Sequence, residues 1–396
     1  MKICLKPILF GLLLFVCGLS RAQDAVPDKS STVTVSGSGT SREAAIDDAR
    51  RNAIAKVCGM LVDANTQMDN FIVVRDAVST NTRGYIKDFK IISEAVSNGI
   101  NTITAQASVS NAPVKQDAES LSQLVGGIRF MVVYDERKLG QEQIPNFEWA
   151  YNRINEKFSE GNIRYVEAER FRALRDEAYK ILGKDTTESS YVQKLGLFAD
   201  AEFLVSIKSM KIILEDKAVG TSARVILEAI TYDNCTAEGL GTVVLEGDAK
   251  LSKDPSEAIK MSITSAIVNG YPRLMMFFNK KVGTWLNGSP FELRFYGISS
   301  PRALIPLVAK IRNDRNFGGQ LNPVQTPGFL KYSLTFKAKS YDMYTKILEY
   351  ADEIPALKGL QIDAKLQYGR QISFAPTNVV VPEAVERQKV IDKVGQ

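Results

Sequence analysis

The sequence predicts a protein of mixed α/β and α+β class built from three small modules, and three observations carry that expectation. A chain of 396 residues with 45% hydrophobic side chains exceeds what one core usually organises. Apolar residues recur at every second position in some stretches and at three- and four-residue steps in others, so strands and helices alternate. A strand, a serine cap and a helix also occur twice between Phe291 and Asp352, an internal echo. The modules are a βα unit with an antiparallel hairpin over 31–112, an α/β sandwich over 127–286 and a ferredoxin-like βαββαβ unit over 289–370. Residues 371–396 are left as a C-terminal tail.

The first residues set the compartment. Lys2 and Lys6 precede an apolar run from Ile8 to Leu19, and Ser20 and Ala22 place small residues at the cleavage positions. This is the pattern of a secretory signal peptide over residues 1–22, cut between Ala22 and Gln23. Bulky Leu14, Phe15 and Val16 before Cys17 do not fit a lipidation signal. No later run reaches the roughly 20 apolar residues of a spanning helix, so no transmembrane segment is expected in the mature chain. The expected location is the periplasm or the periplasmic face of the outer membrane. Cleavage removes three cations, Lys2, Lys6 and Arg21, and no acid, which takes the net charge from +5 to +2. That balance offers no basic stripe for nucleic acid.

The chain has no histidine, which removes the commonest general base and zinc ligand, and with them any Ser-His or Cys-His nucleophile pair. No motif for a cofactor, a metal or a catalytic constellation is present, so none is expected. Asp233 and Asp254 would be arbitrary choices for carboxylate chemistry. Cys58 and Cys235 remain after cleavage, in different modules, and read as buried thiols, with a bridge between them left open.

In the first module Val33 and Val35 alternate with polar residues, Ser41 can cap a helix, and Ala45, Ile46, Ala49, Ala53, Ile54, Val57 and Leu61 mark its buried face. Two alternating runs around Asn98-Gly99 predict a hairpin. The Gly37-Ser38-Gly39 stretch invites a dinucleotide reading. That fingerprint needs a third small residue where Arg42 stands, and a parallel strand where the hairpin stands. Gly37 and Gly39 are therefore expected to be a structural turn.

With Gly37, Gly39, Ala45, Ala49, Ala53, Gly84 and Ile86 in place, the first module resembles the amino-terminal domain of flagellar assembly protein T. The stretch KLGLFADAEFLVSIK resembles part of that family's middle domain, of the amino-terminal domain of the Tol-associated propeller protein and of the curli secretion pore protein. The resemblance implies contacts with other envelope proteins and supplies no catalytic residue. The third module departs from that family.

Between the first two modules, residues 112–127 read as a polar connector. In the second, Ile128–Glu136 predicts a strand buried on both faces, followed by alternating helices and strands and then two further strands. A closing helix contains Pro272, which is expected to kink or divide it. Its cluster Met275, Met276, Phe277 and Phe278 is either a wedge between domains or a candidate interface for a partner. In the third module Glu292, Arg294, Ser333, Thr335, Lys337, Asp363, Lys365 and Gln367 alternate onto one sheet face with Tyr296 as its single aromatic. That face suits solvent or protein rather than RNA, which needs stacked aromatics. The function expected from all this is non-enzymatic: an envelope assembly or scaffold protein that docks other envelope proteins or its own copies. The alternative is a glycan or small-ligand binding protein that uses the cleft between the second and third modules.

Overall fold

A computed structural model describes residues 29–62, 69–81, 84–183, 186–298 and 300–394. Ala22 and Gln23 lie outside the described residues.

The first unit contains β1 (Ser30–Gly39), α1 (Arg42–Leu61), α2 (Phe71–Thr80), β2 (Ile86–Ser97) and β3 (Ile100–Ser110). Its antiparallel sheet has the order β1-β3-β2. Ser41 caps α1 by accepting the Ala44 amide at 3.1 Å. Ala45, Ala49, Ala53, Ile54, Val57 and Cys58 are buried along the helix. Asn98 and Gly99 both adopt positive φ, 51° and 77°, which is the backbone a two-residue hairpin turn requires.

The segment read as a polar connector is a helix, α3 (Asn111–Val125). Val114, Ala118, Leu121 and Val125 recur at four- and three-residue steps and are fully buried. They carry the core of the first unit into the second.

The second unit runs through β4 (Phe130–Tyr134), α4 (Ile144–Glu160), α5 (Ala168–Leu182), α6 (Glu188–Ala199), β5 (Phe203–Lys217), β6 (Gly220–Asp233), β7 (Glu238–Glu246), β8 (Lys250–Ser252) and α7 (Pro255–Gly283). Its strands lie in the order β4-β5-β6-β7, with β4 parallel to β5, the others antiparallel, and β8 beside the start of β6. Every residue of β4 is buried, as its unbroken apolar run requires. The closing helix is not divided: α7 continues through Pro272. The carbonyl deprived of its donor belongs to exposed Val268, where water can replace the bond. α7 packs on β6, β7 and α4, and also on α2, so a single apolar core extends from Val33 to Trp285.

The third unit contains β9 (Ser289–Tyr296), α8 (Ile305–Asn313), β10 (Phe317–Gly318), β11 (Val324–Thr326), β12 (Phe329–Phe336), α9 (Ser340–Asp352), α10 (Pro355–Lys358), β13 (Ile362–Tyr368), β14 (Gln371–Pro376) and α11 (Pro382–Val394). Phe291, Leu293 and Phe295 face Leu304, Leu307, Ile311 and Ile347 in a core of their own. The sheet order is β10-β12-β9-β14-β13. The pairing of β12 with β9 and of β10 and β11 with β12 follows the split unit. The other side does not: β14 runs parallel to β9 in the place the last strand would take, and displaces β13 to the edge. Both β14 and α11 arise from the segment expected to be a tail.

Candidate functional site

The densest cluster of buried charge joins the second unit to the third. Gly369 and Arg370 form the two-residue turn between β13 and β14, with Gly369 at φ +50°. A Cβ on Gly369 would stand 2.3 Å from Glu202 Cδ, so this turn sits directly against the second unit. Arg370 donates from both terminal nitrogens to the two carboxylate oxygens of Asp233, each at 2.8 Å, and from Nε to Glu202 at 3.1 Å. Its guanidinium lies 4.3 Å from the centre of the Trp285 ring. The Cys235 thiol donates to Glu202 at 3.4 Å, and Asn234 donates to the Tyr368 hydroxyl at 2.7 Å. That hydroxyl in turn donates to the Ala201 carbonyl.

Burial, with the nearby Asp233 charge, raises the Glu202 pKa, while Arg370 pulls the other way. Burial and the Glu202 carboxylate push the Cys235 thiol well up, so it stays protonated and is a poor nucleophile. Burial opposes the Arg370 charge, yet the Asp233 carboxylate, with Glu202, holds its pKa above the ordinary value. The charged groups of this cluster are spent on one another, while Asn234 Oδ1 and Trp285 Nε1 are buried without a hydrogen-bond partner. Asp233 is thereby a structural ion-pair partner, and Asp254 caps α7 by accepting the Ser256 amide at 2.9 Å.

A cavity of roughly 370 Å³ lies over the joint, with Asp200, Lys339, Ser340, Tyr341 and Gln367 in its wall. Asp200 is paired with Arg387 at 3.1 Å. The cavity does not gather several aromatics and free acids, the lining a glycan cleft would show.

The C-terminal helix closes the same joint from outside. Lys194 of α6 meets Glu386 at 2.7 Å, and Glu383 accepts from Tyr296 at 2.8 Å and from Arg294 at 3.4 Å. Val390 of α11 is fully buried in the core shared by the first two units. This corrects the expected solvated face of the third sheet. Glu292 and Tyr296 are buried and Arg294 is paired with both Glu292 and Glu383, because α11 and the Arg370 turn cover that part of the face.

Gly37 and Gly39 are structural but are not a turn. Both lie inside β1, and neither has positive φ. A Cβ on Gly37 would stand 2.1 Å from the Ala49 nitrogen, and one on Gly39 would stand 2.6 Å from the Ala45 nitrogen. The glycines let α1 lie against the strand. The candidate interface at Met275–Phe278 is also corrected. Met275 and Phe278 are buried, with the Phe278 ring 5.1 Å from those of Phe130 and Phe203. Phe277 lies over Gly241 of β7, leaving Met276 as the one member 53% exposed. Cys58 and Cys235 are free, buried and unbridged.

Five of the exposed large apolar residues stand on two hairpins. One, β2–β3, carries Ile92, Val96 and Ile100, with Val96 71% exposed. The other is the distal half of β5–β6, which extends past the ends of β4 and β7, is flanked by β8 on its β6 side, and carries Leu214 and Val219, 50% and 66% exposed. Sequence reasoning did not single out these residues or Arg370. The Gly-Arg turn between two alternating runs was the available signal for the latter.

Among the described residues no helix is long and apolar enough to cross a membrane, and no group of three or more acids or cysteines is placed to hold a metal ion. No protein-family model and no curated protein matches the chain. A solved structure of the hypothetical protein CT253 from Chlamydia trachomatis is similar at 13% identity over 40% of this chain and 97% of that one, with a TM-score of 0.23. At that score the likeness carries no argument about fold or function.

Proposed function

We propose that this is a non-enzymatic, exported assembly or scaffold protein of the cell envelope, which docks other envelope proteins or its own copies from the periplasm or the periplasmic face of the outer membrane. The observation that carries the reading is the contrast between the joint and the hairpins. The buried charges hold the second unit to the third, whereas Ile92, Val96, Ile100, Leu214 and Val219 leave apolar groups exposed on two strand pairs. Apolar groups placed there supply contact area for another protein. The signal-like start supports export, and the cavity at the joint gives the glycan alternative little to work with.

The test is crosslinking in intact cells followed by mass spectrometry, comparing the natural chain with Val96→Lys and Val219→Lys. The reading expects specific protein neighbours that are lost in at least one variant while the melting temperature stays unchanged. Neighbours that persist in both variants, or a chain that is never found in the envelope, would reject it.

A further inference from the structure

The outer side of β5 is an unusual edge. β4 pairs with it only as far as Ile207, and among the described residues no strand pairs with that side from Ser209 to Lys217. Over those residues β5 pairs with β6 without a register shift, so the edge is regular. The free edge of β2 differs, because two bulges interrupt its pairing with β3. Long, regular, apolar edges are templates for strand pairing, and bulges are a standard protection. The β5 edge reads Met210-Lys211-Ile212-Ile213-Leu214-Glu215 and has no such protection.

Its charges are self-complementary. Met210, Ile212 and Leu214 share the face of their partners Leu227, Val225 and Ala223, which are buried. Lys211, Ile213 and Glu215 occupy the other face. When two β5 strands run antiparallel about an axis perpendicular to the sheet and midway between their Ile213 residues, Lys211 of each copy stands opposite Glu215 of the other. Ile212 then stands opposite Leu214, and Ile213 opposite itself. A shift of two residues in register would lose both charge pairs. Glu215 already meets Lys217 of its own strand at 2.8 Å, an exposed contact that leaves room for a second cation. α7 covers β6, β7 and β8, while on the β5 side Met210 and Ile212 are partly buried against the same core and Leu214 is exposed.

We infer that the protein self-associates through this edge, as a two-fold dimer in which the β5 strands of two copies join their sheets. The inference rests on the docking role proposed above and names one partner, a second copy of this chain. Such an interface is isologous, so each substitution enters twice.

Sedimentation equilibrium on the full mature chain, from micromolar to millimolar concentration, tests it. A dimer mass is expected. Lys211→Glu should weaken association about tenfold or more, since two attractive cross-strand pairs become repulsive. Lys211→Glu combined with Glu215→Lys should restore it. Under mild oxidation Ile213→Cys should give a disulfide-linked dimer, because a residue opposite itself across an antiparallel pair lies about 4.5–5.5 Å away, within disulfide reach. Lys217→Cys, far from its copy, should not. A monomer at every concentration, or a dimer indifferent to Lys211→Glu, overturns the inference. If crosslinks to other envelope proteins persist in that case, the pairing falls and the docking role stands. If those are absent too, both fall.

Discussion

Arg370 and Asp233 stand 137 residues apart in sequence and meet through two 2.8 Å hydrogen bonds, side by side, at the joint between the second and third units. Asp233 is fully buried and the Arg370 side chain is 5% exposed, so the pair is cut off from water. Removing one partner of such a pair leaves the other charge uncompensated in a poorly solvated place. Arg370→Met should therefore cost about 3–5 kcal/mol in urea denaturation, and Arg370→Met with Asp233→Leu should cost less than the single change. A single variant within about 1 kcal/mol of the natural chain would show that the pair does not hold the joint.

The third charge of the cluster gives a pH dependence with a definite sign. Burial and Asp233 raise the Glu202 pKa in the folded state. Between the ordinary glutamate value and that raised value the folded chain binds more protons than the unfolded one, so stability falls as pH rises through the window. Glu202→Gln should flatten this slope while keeping an acceptor for Arg370. The check is denaturation of both proteins at several values between about pH 5 and 8. A slope unchanged by the substitution would show that Glu202 titrates as an ordinary carboxylate.

The two glycine environments of the first unit separate close packing from backbone freedom. Gly37→Ala places a methyl 2.1 Å from the Ala49 backbone, which cannot move aside as a flexible side chain would. It should destabilise by about 1–3 kcal/mol or more, as overpacking does. Gly59, near the end of α1, has open space where a Cβ would stand, with nothing within 4 Å, so Gly59→Ala should stabilise by up to about 1 kcal/mol through helix propensity. Thermal melts of the two variants should shift in opposite directions.

Local patterns made much of the fold legible. The alternation of Val33 and Val35, the Ser41 cap and the Asn98-Gly99 turn each express a preference satisfied within a few residues, and each is found in the structure. The helix at Asn111–Val125 was also legible through Val114, Ala118, Leu121 and Val125, but its polar remainder looks like a linker. The joint was hidden for a different reason. Glu202, Asp233 and Arg370 are unremarkable in their local contexts, and only the packing of β14 beside β9 brings the third to the first two. Exposure on the hairpins is likewise set beyond the local sequence, since Leu214 and Val219 are apolar residues in a hairpin whose distal faces no other element covers fully.

The Met275–Phe278 run shows how far one helical turn can divide its labour, and it yields the last prediction. Phe278 is fully buried between Phe130 and Phe203, whereas Met276, two positions earlier, points to solvent. Phe278→Ala should lose about 3–5 kcal/mol, because the rigid strands β4 and β5 on either side cannot close on the vacated volume. Met276→Ser should change stability by less than about 0.5 kcal/mol, the usual range for a surface position. The measurement is urea denaturation of the two variants, paired with crosslinking in cells for Met276→Ser. Unchanged crosslinks would leave the hairpins as the docking elements. A stable Met276→Ser chain that loses a neighbour would instead extend the docking surface onto α7.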